Sequence, residues 1–286
     1  SYKELYEGIK PGGSILVDDG LLEFKVKEVR GTDIICEVIE GGTIKDHKGV
    51  NVPNVPIKLP AVTEKDRSDL IFGCEMEVDF VAASFIRKPE DVLEVREILD
   101  SHGGKDIKII SKIESQEGVD NIKEIIKVTD GVMVARGDMG VEIPIENVPI
   151  IQKNIIKKCN QAGKIVITAT QMLDSMIRNP RPTRAEASDV CNAIFDGTDA
   201  IMLSGESASG SFPIEAAMTM SRIAKKAEAN LDYNYLLRRL KDPNPNPDAF
   251  ADAISYSASK TASKFPTKAI VAATQTGSTA KILSKY

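Results

Sequence analysis

The sequence predicts an α/β protein in which an incomplete TIM (β/α) barrel follows a small β domain and precedes the start of a second α/β domain. Three observations in residues 60–231 lead to this fold class. Short apolar segments alternate with helical segments, polar side chains follow each apolar segment, and the repeating units are too few to close a barrel.

Five apolar segments have the continuous hydrophobic character of strands that are buried on both faces of a parallel sheet. They recur at about 25 to 35 residues, which is close to the length of one strand–helix unit. The intervening segment 89–101 begins with a proline and two acidic residues, which suit the first turn of a helix. The five predicted strands are residues 78–82, 107–111, 131–135, 165–169 and 200–203.

Polar side chains follow every one of these predicted strands. A TIM barrel carries functional groups at the C-terminal ends of several strands, whereas an open sheet concentrates them at one switch point. The distribution therefore favours a barrel, although five units fall short of the eight that close one. We expect about three units to be absent from the N-terminal side or supplied elsewhere. The polar groups are Ser84, Lys112 and Glu114, Arg136 and Asp138, Thr170 and Gln171, and Ser204 and Glu206.

The first part of the chain has the pattern of a small β domain. Residues 14–39 have the pattern of short strands, with alternating apolar and polar side chains at 21–26. The acidic residues and glycine at 18–20 predict a turn between two strands. The stretch 49–56 contains too much proline for a sheet interior. The β domain is therefore expected to end near residue 59.

The last part of the chain predicts the beginning of another α/β domain. A long helical region at 212–240 precedes the proline-rich stretch 242–247, which is typical of an extended linker. A helix at 248–264, a strand at 269–273 and a loop at 274–279 that opens another helix follow.

The composition argues against several kinds of partner. A net charge of −5 over 286 residues does not favour binding of nucleic acid. No apolar stretch approaches the ~18 residues of a membrane span. The four cysteines contain no C-x-x-C pair, which argues against a zinc site and fits buried thiols in a reducing cytosol. His47 and His102 lie in polar, turn-like stretches, so histidine-dependent catalysis is not expected.

The strongest candidate site combines the ends of two successive predicted strands. Lys112 and Glu114 are two residues apart in an extended segment, so their side chains face the same side. Asp138 follows one unit later. Two carboxylates predict a Mg²⁺ site completed by water or substrate oxygens, and Lys112 beside them would neutralise charge on a transferring phosphoryl group. Gly137 would let the backbone approach a ligand closely, and the N–H groups after it would bind a carboxylate.

Simpler structural roles remain open for these residues. Lys112 and Glu114 would equally form a buried ion pair, and Asp138 would equally cap a helix. Thr170 is a candidate substrate contact through its hydroxyl, but threonine is also a frequent helix N-cap.

Five segments resemble the pyruvate kinase family and occur in the family's order. The resemblance extends from about residue 12 to the end of the sequence. The segments are residues 109–114, 133–138, 169–173, 181–186 and 201–206.

This resemblance implies a phosphotransferase that moves the phosphoryl group of phosphoenolpyruvate onto ADP, giving pyruvate and ATP in the cytoplasm. It also implies the domain organisation. Residues 1–59 match most of the small β-barrel B domain that acts as a lid, 60–231 match the later part of the barrel, and 232–286 match the start of the regulatory C domain.

The resemblance further implies a role for each site residue. Glu114 and Asp138 would hold Mg²⁺ or Mn²⁺, and Lys112 would face the phosphoryl group. The backbone N–H groups of Gly137 and Asp138, with the hydroxyl of Thr170, would bind the carboxylate side of phosphoenolpyruvate. The family also uses K⁺, but the segments that carry its K⁺ ligands are not in this sequence.

Three features farther from the barrel strands complete this set of expectations. Lys48 matches a lid residue that reaches the nucleotide, although a solvated loop lysine is the plainer interpretation. Hydroxyl side chains at 274–279 match a loop that binds the phosphate of a sugar-phosphate effector, and they would equally be ordinary turn and cap residues. Residues 181–186 are expected at a subunit contact of a homotetramer, or form a loop that ends in a Thr183 cap. The effector residues are Thr274, Thr276, Ser278 and Thr279.

Two other functions remain compatible with the sequence. The Glu114 and Asp138 carboxylates would also serve a Mg²⁺-dependent lyase or aldolase that stabilises an enolate. Because the first strands of the family's barrel are not in this sequence, a non-catalytic fragment is the third interpretation.

Overall fold

The computed structural model describes residues 4–18, 20–44, 46, 48–53, 55, 60–240 and 249–286. The predictions for His47, for the boundary at residue 59 and for the linker at 242–247 lie outside these ranges. The chain divides into two compact units, Ser1–Thr129 with Met133–Ile151 and Asp130–Val132 with Gln152–Tyr286.

The β domain of the first unit is a four-stranded antiparallel sheet in the order β3-β2-β1-β4. In β1, Val17 pairs with Leu22 on one side and with Val50 on the other. Ile9 and Val26 are buried beside Val52 in its core. The elements are α1 (Leu5–Gly8), β1 (Ser14–Val17), β2 (Leu22–Arg30), β3 (Asp33–Glu40) and β4 (Val50–Asn51).

The predicted parallel strands are all present, with small shifts at their ends. The sheet has the order β5-β6-β7-β8-β9, so its strands follow the order of the chain without a reversal. Pairing is parallel between β5 and β6 and between β8 and β9. All five residues of β7 are buried, as expected for an interior strand. The strands are β5 (Phe80–Ala83), β6 (Lys108–Ile113), β7 (Gly131–Ala135), β8 (Ile165–Ala169) and β9 (Ala200–Ile201).

The helices of the first unit follow from local signals in the sequence. In α3, Pro89 occupies the first turn, and Asp91 accepts the backbone N–H groups of Arg87 and Lys88 at 2.9 and 3.2 Å. Val92, Val95, Ile98 and Leu99 recur at three- and four-residue spacing and are buried. The helices are α2 (Glu64–Glu75), α3 (Pro89–Ser101), α4 (Gln116–Asp120), α5 (Ile122–Val128), α6 (Arg136–Glu142) and the 3₁₀ helix Ile145–Asn147.

The second unit is mainly helical around strands β8 and β9. Met172, Met176, Val190 and Met220 are buried together in its core, where α8 packs against α10. Its helices, including α7, which begins at the end of the first unit, are α7 (Val148–Ala162), the 3₁₀ helix Asp174–Ile177, α8 (Arg184–Asp196), α9 (Gly205–Ala208), α10 (Pro213–Glu228), α11 (Tyr233–Arg239), α12 (Ala249–Ala262) and α13 (Ser278–Ser284).

The prediction of a strand at 269–273 was wrong, because this segment is irregular in the structure. A strand requires a hydrogen-bonded neighbour, and no described segment pairs with these residues. Val271 is accordingly 92% exposed. The last two residues contact α12, where Asp252 accepts hydrogen bonds from Lys285 Nζ at 2.8 Å and Tyr286 Oη at 2.6 Å.

Across the described residues, none of the helices combines the length and the apolar character that a membrane crossing requires.

Candidate active site

The end of β6 presents a lysine and a glutamate on one side, as the alternation of the strand predicts. Lys112 Nζ lies 2.8 Å from Glu114 Oε1. Glu114 is 1% exposed and Lys112 is partly buried, whereas Ile113 between them is fully buried in the core. The prediction that the two side chains face the same side is therefore confirmed, and they form the ion pair that the sequence left open as an alternative role.

The same two side chains hold the loop that follows β5. Glu114 Oε2 accepts the backbone N–H of Phe85 at 2.5 Å, and Lys112 Nζ donates to Ser84 Oγ at 2.8 Å. Phe85 adopts a φ of 53°, a left-handed conformation that is uncommon for a bulky residue. The sequence did not predict this contact, since nothing in it marks Phe85 as left-handed.

The carboxyl of Glu114 is electrostatically strained. Burial raises the pKa of Glu114 above its ordinary value, because the charged form loses its water. Hydrogen bonds from Lys112 and Phe85 oppose this, and the negative charge of Asp138 raises the pKa further. A cation bound by the two carboxylates would offset this unfavourable interaction between their negative charges.

Asp138 is the third residue of α6, directly after β7. The N-cap of this helix is Ala135 and makes no side-chain cap, so Asp138 is not the capping residue that the sequence left open. Gly137 precedes Asp138 in the same first turn, where helical N–H groups lack intrahelical partners.

Two carboxylates are a suitable donor set for Mg²⁺ or Mn²⁺. Mg²⁺ is commonly bound by one or two carboxylates and completed by water or substrate oxygens. In the part of the chain that the structure describes, no group of three or more His, Cys, Asp or Glu side chains forms a ready-made metal cage. Glu114 and Asp138 are side chains of the type that bind Mg²⁺ or Mn²⁺ together with water or substrate oxygens.

The β domain places Lys48 in an exposed position. Its Nζ lies 2.7 Å from Asp18 Oδ1, and Asp18 has a φ of 57°. In the same unit, Asn51 Nδ2 donates to Glu142 Oε1 at 3.0 Å, which joins β4 to the last residue of α6. The helix that carries Asp138 is thus attached to the β domain.

Thr170 lies in the second unit, directly after β8. Thr170 and Gln171 have φ values of 75° and 53°, so two successive non-glycine residues are left-handed. The next helix, Asp174–Ile177, has Leu173 at its N-cap position, so Thr170 does not cap it. The capping role that the sequence left open for Thr170 is excluded.

Glu206 has a role at this turn that the sequence did not reveal. Its Oε1 accepts the backbone N–H of Leu173 at 2.9 Å, and its Oε2 accepts that of Ser204 at 2.8 Å. The side chain is 1% exposed. The sequence marked Glu206 only as one of the polar groups that follow the strands.

The side chains of the predicted effector loop, residues 274–279, form hydrogen bonds within the loop. Thr274 Oγ1 accepts the N–H of Gly277 at 3.1 Å. Thr276 Oγ1 lies 3.1 Å from Ser278 Oγ, and Thr279 is the second residue of α13. These contacts fit the turn residues that the sequence left open as an alternative.

The segment 181–186 contains the predicted helix cap. Thr183 Oγ1 accepts the N–H of Glu186 at 3.2 Å, and Glu186 Oε2 accepts the N–H of Thr183 at 2.7 Å. This reciprocal capping box starts α8. The subunit contact predicted for the same segment stays a prediction.

Comparisons with known proteins identify the family. The family model described as pyruvate kinase, barrel domain, matches residues 1–217. The chain belongs to the pyruvate kinase family. A second family model, pyruvate kinase, alpha/beta domain, matches residues 252–286.

Curated pyruvate kinases align with the whole of this chain. The chain is 63% identical to a pyruvate kinase of Clostridium acetobutylicum over 287 aligned residues, covering 100% of this chain and 60% of that protein. It is 55% identical to a pyruvate kinase of Bacillus licheniformis and 53% identical to one of Geobacillus stearothermophilus, covering 100% of this chain and 49% of each. The chain therefore spans between about half and three fifths of the length of these relatives.

Proposed function

We propose that this chain carries part of the active site of an enzyme that transfers the phosphoryl group of phosphoenolpyruvate to ADP, giving pyruvate and ATP. The observation that carries the proposal is the cluster at the end of β6, where Lys112 and Glu114 meet at 2.8 Å beside the charge of Asp138. A cation, two carboxylates that suit a metal ion and a helix N-terminus are groups that can stabilise the charge of phosphoryl transfer.

Lys112 is the proposed electrostatic catalyst. Its Nζ is held at 2.8 Å from both Glu114 Oε1 and Ser84 Oγ, so its position is set before a substrate arrives. A preorganised cation stabilises the charge that spreads over the oxygens of a transferring phosphoryl group. Partial burial strengthens this effect, because fewer water molecules screen the charge.

Glu114 and Asp138 are the proposed ligands of Mg²⁺ or Mn²⁺. When bound, the metal supplies neutralising charge and orients the phosphoryl and carboxylate oxygens. The raised pKa of Glu114 supports the assignment, because the charged carboxylate gains most from a nearby cation. K⁺ is proposed as a second cofactor by resemblance to the family.

Substrate and nucleotide contacts are proposed from the family resemblance together with local geometry. The N–H groups of Gly137 and Asp138 lie in the first turn of α6, which suits a substrate carboxylate. The hydroxyl of Thr170 is assigned to the same substrate by resemblance. Lys48 would exchange its partly exposed ion pair with Asp18 for the phosphates of ADP or ATP.

The remaining parts of the proposal concern regulation and assembly. Thr274, Thr276, Ser278 and Thr279 are proposed contacts of a phosphorylated sugar effector, by resemblance. The segment 181–186 is proposed at a subunit contact of a homotetramer. The four described cysteines are free, which fits the proposed cytoplasmic location.

A coupled assay tests the function directly. The full-length enzyme that carries this sequence is mixed with phosphoenolpyruvate, ADP, Mg²⁺ and K⁺, and pyruvate formation is measured. ADP-dependent release of pyruvate is the expected result. Mg²⁺-dependent cleavage of oxaloacetate or of a pyruvate adduct without ADP would replace the proposal with a lyase, and inactivity with all substrates would indicate a non-catalytic protein.

A further inference from the structure

The turn that carries Thr170 adopts a conformation that its own residues disfavour. Threonine is β-branched, and a φ of 75° brings its side chain against the backbone. Gln171 adds a second left-handed residue, at 53°. Such strain persists only where the surrounding structure holds the backbone in place, and it is typical of functional sites.

The buried carboxylate of Glu206 supplies such a restraint. One oxygen accepts the N–H of Leu173, two residues after the turn, and the other accepts the N–H of Ser204, after β9. Hydrogen bonds from backbone N–H groups to a carboxylate are stronger than bonds between neutral groups. Because Glu206 is 1% exposed, water cannot replace either bond at low cost.

The segment around Glu206 is closely packed against its neighbours. A Cβ atom on Gly210 would lie 2.6 Å from the backbone oxygen of Glu206 and 3.1 Å from Cα of Ile177. The N–H of Ser211 also donates to the carbonyl of Ile177 at 2.8 Å. The segment that carries Glu206 is thus anchored to the 3₁₀ helix that directly follows the strained turn.

We propose that Glu206 is a positioning residue, whose buried carboxylate holds the left-handed turn at Thr170 and Gln171 and thereby orients the Thr170 hydroxyl toward the substrate. The inference rests on the proposed function, since it takes Thr170 as a substrate contact. It adds that Glu206 acts through Thr170 rather than by contact with substrate or metal.

The first experiment compares Glu206→Gln, Thr170→Val and the double variant in the full-length enzyme. Glutamine has nearly the shape of glutamate, but its NH₂ group faces one of the two N–H donors and cannot accept from it. We expect Glu206→Gln to lower kcat by about 10- to 100-fold, the size of a small misplacement at an active site. Because Glu206 acts through Thr170, the double variant should be no slower than Thr170→Val alone.

A rescue experiment separates positioning from general support of the fold. Glycine adopts positive φ without strain, so Gln171→Gly removes part of the strain that Glu206 opposes. Gln171→Gly is expected to raise kcat when it is added to Glu206→Gln. This fold-increase should be at least several times the change that Gln171→Gly causes in the parent enzyme. The crystal structure of Glu206→Gln should also show Thr170 moved out of the left-handed region.

The control is Asp91→Ala, which removes a buried carboxylate elsewhere in the fold. Asp91 accepts the backbone N–H groups of Arg87 and Lys88 through one oxygen, whereas Glu206 accepts those of Leu173 and Ser204 through one oxygen each. Its loss should lower stability without changing kcat. If Glu206→Gln does not accumulate as folded protein, Glu206→Asp is carried through the same comparisons.

The outcomes distinguish the inference from the function on which it rests. Parent-like kcat in Thr170→Val would remove Thr170 from the site, and the positioning role with it. A slow Thr170→Val variant beside a parent-like Glu206→Gln would overturn positioning alone. Additive losses in the double variant, or no rescue by Gln171→Gly, would likewise show that Glu206 only supports the fold.

Discussion

Glu114 in the first unit and Glu206 in the second occupy similar local settings. Each follows a parallel strand, each is 1% exposed, and each accepts a backbone N–H at or near a left-handed residue. A buried carboxylate that accepts N–H groups from a neighbouring loop is therefore a shared way of holding the strand ends in this protein.

The two glutamates differ in what else surrounds the carboxylate. Both oxygens of Glu206 accept backbone N–H groups. Glu114 uses one oxygen in this way, while the other meets Lys112, and the charge of Asp138 lies nearby. Charged side chains are thus concentrated around Glu114, whereas the carboxylate of Glu206 is hydrogen-bonded by backbone N–H groups through both oxygens. A carboxylate after a strand is the stronger candidate for metal binding where its charge is not satisfied by the scaffold.

The largest expected effect is on turnover and falls on Lys112. In the full-length enzyme, Lys112→Met should lower kcat by about 1,000-fold, because the proposed function assigns to Lys112 a preorganised charge that stabilises the transferring group. The effect on binding of phosphoenolpyruvate should be smaller. Steady-state kinetics measure both, and Lys108→Met, at the start of the same strand, is the control. Near-parent turnover of Lys112→Met would remove Lys112 from the mechanism.

Metal binding gives the sharpest test of the difference between the two glutamates. Glu114→Gln and Asp138→Asn should each weaken Mn²⁺ binding to this chain by about 10-fold or more, because each removes a charged ligand. Glu206→Gln should leave the affinity unchanged. Water-proton relaxation during Mn²⁺ titration measures the three affinities. If Glu206→Gln weakened Mn²⁺ binding as much as Glu114→Gln does, the proposed difference between the two glutamates in metal binding would be wrong.

Helix capping should show no difference between the units. Thr63 starts α2 in the first unit and Thr183 starts α8 in the second, each through a capping box. Thr63→Ala and Thr183→Ala should each lower the free energy of unfolding by about 1 kcal/mol. Urea denaturation measures both losses. A much larger loss for Thr183→Ala would indicate that its segment also makes the predicted subunit contact.

The smallest expected effect depends on pH. Hydrogen bonds from Thr63 lower the pKa of Asp66 below its ordinary value of 3.8. Asp66→Asn should therefore cost a few tenths of a kcal/mol at pH 7, since the group is exposed. This cost should disappear as the pH falls below 3.8 through the lowered pKa, because protonated Asp66 then contributes nothing.

Denaturation at a series of pH values measures that cost. Glu75→Gln, which removes an acidic charge from the opposite end of the same helix and outside the capping box, is the control. A deficit for Asp66→Asn that persists at pH 2 would contradict the assigned cause.

Much of the fold could be predicted from local sequence patterns. Strands β7 and β8 have the predicted bounds, and α3 begins and ends where its proline, acidic first turn and apolar spacing indicate. The strand at 269–273 was predicted on the same kind of pattern and is absent. An apolar run specifies a strand only when a neighbouring strand is available to pair with it.

The sequence by itself determined that Lys112 and Glu114 share a side of β6, because alternation along a strand is a property of the backbone. Only the tertiary structure decided that Glu114 accepts the backbone N–H of Phe85 and that Thr170 and Gln171 are left-handed. It also decided that Glu206 accepts the backbone N–H of Leu173. The physical reason is that a strained φ and a buried hydrogen bond depend on partners distant in the chain, and no local pattern of residue types encodes them.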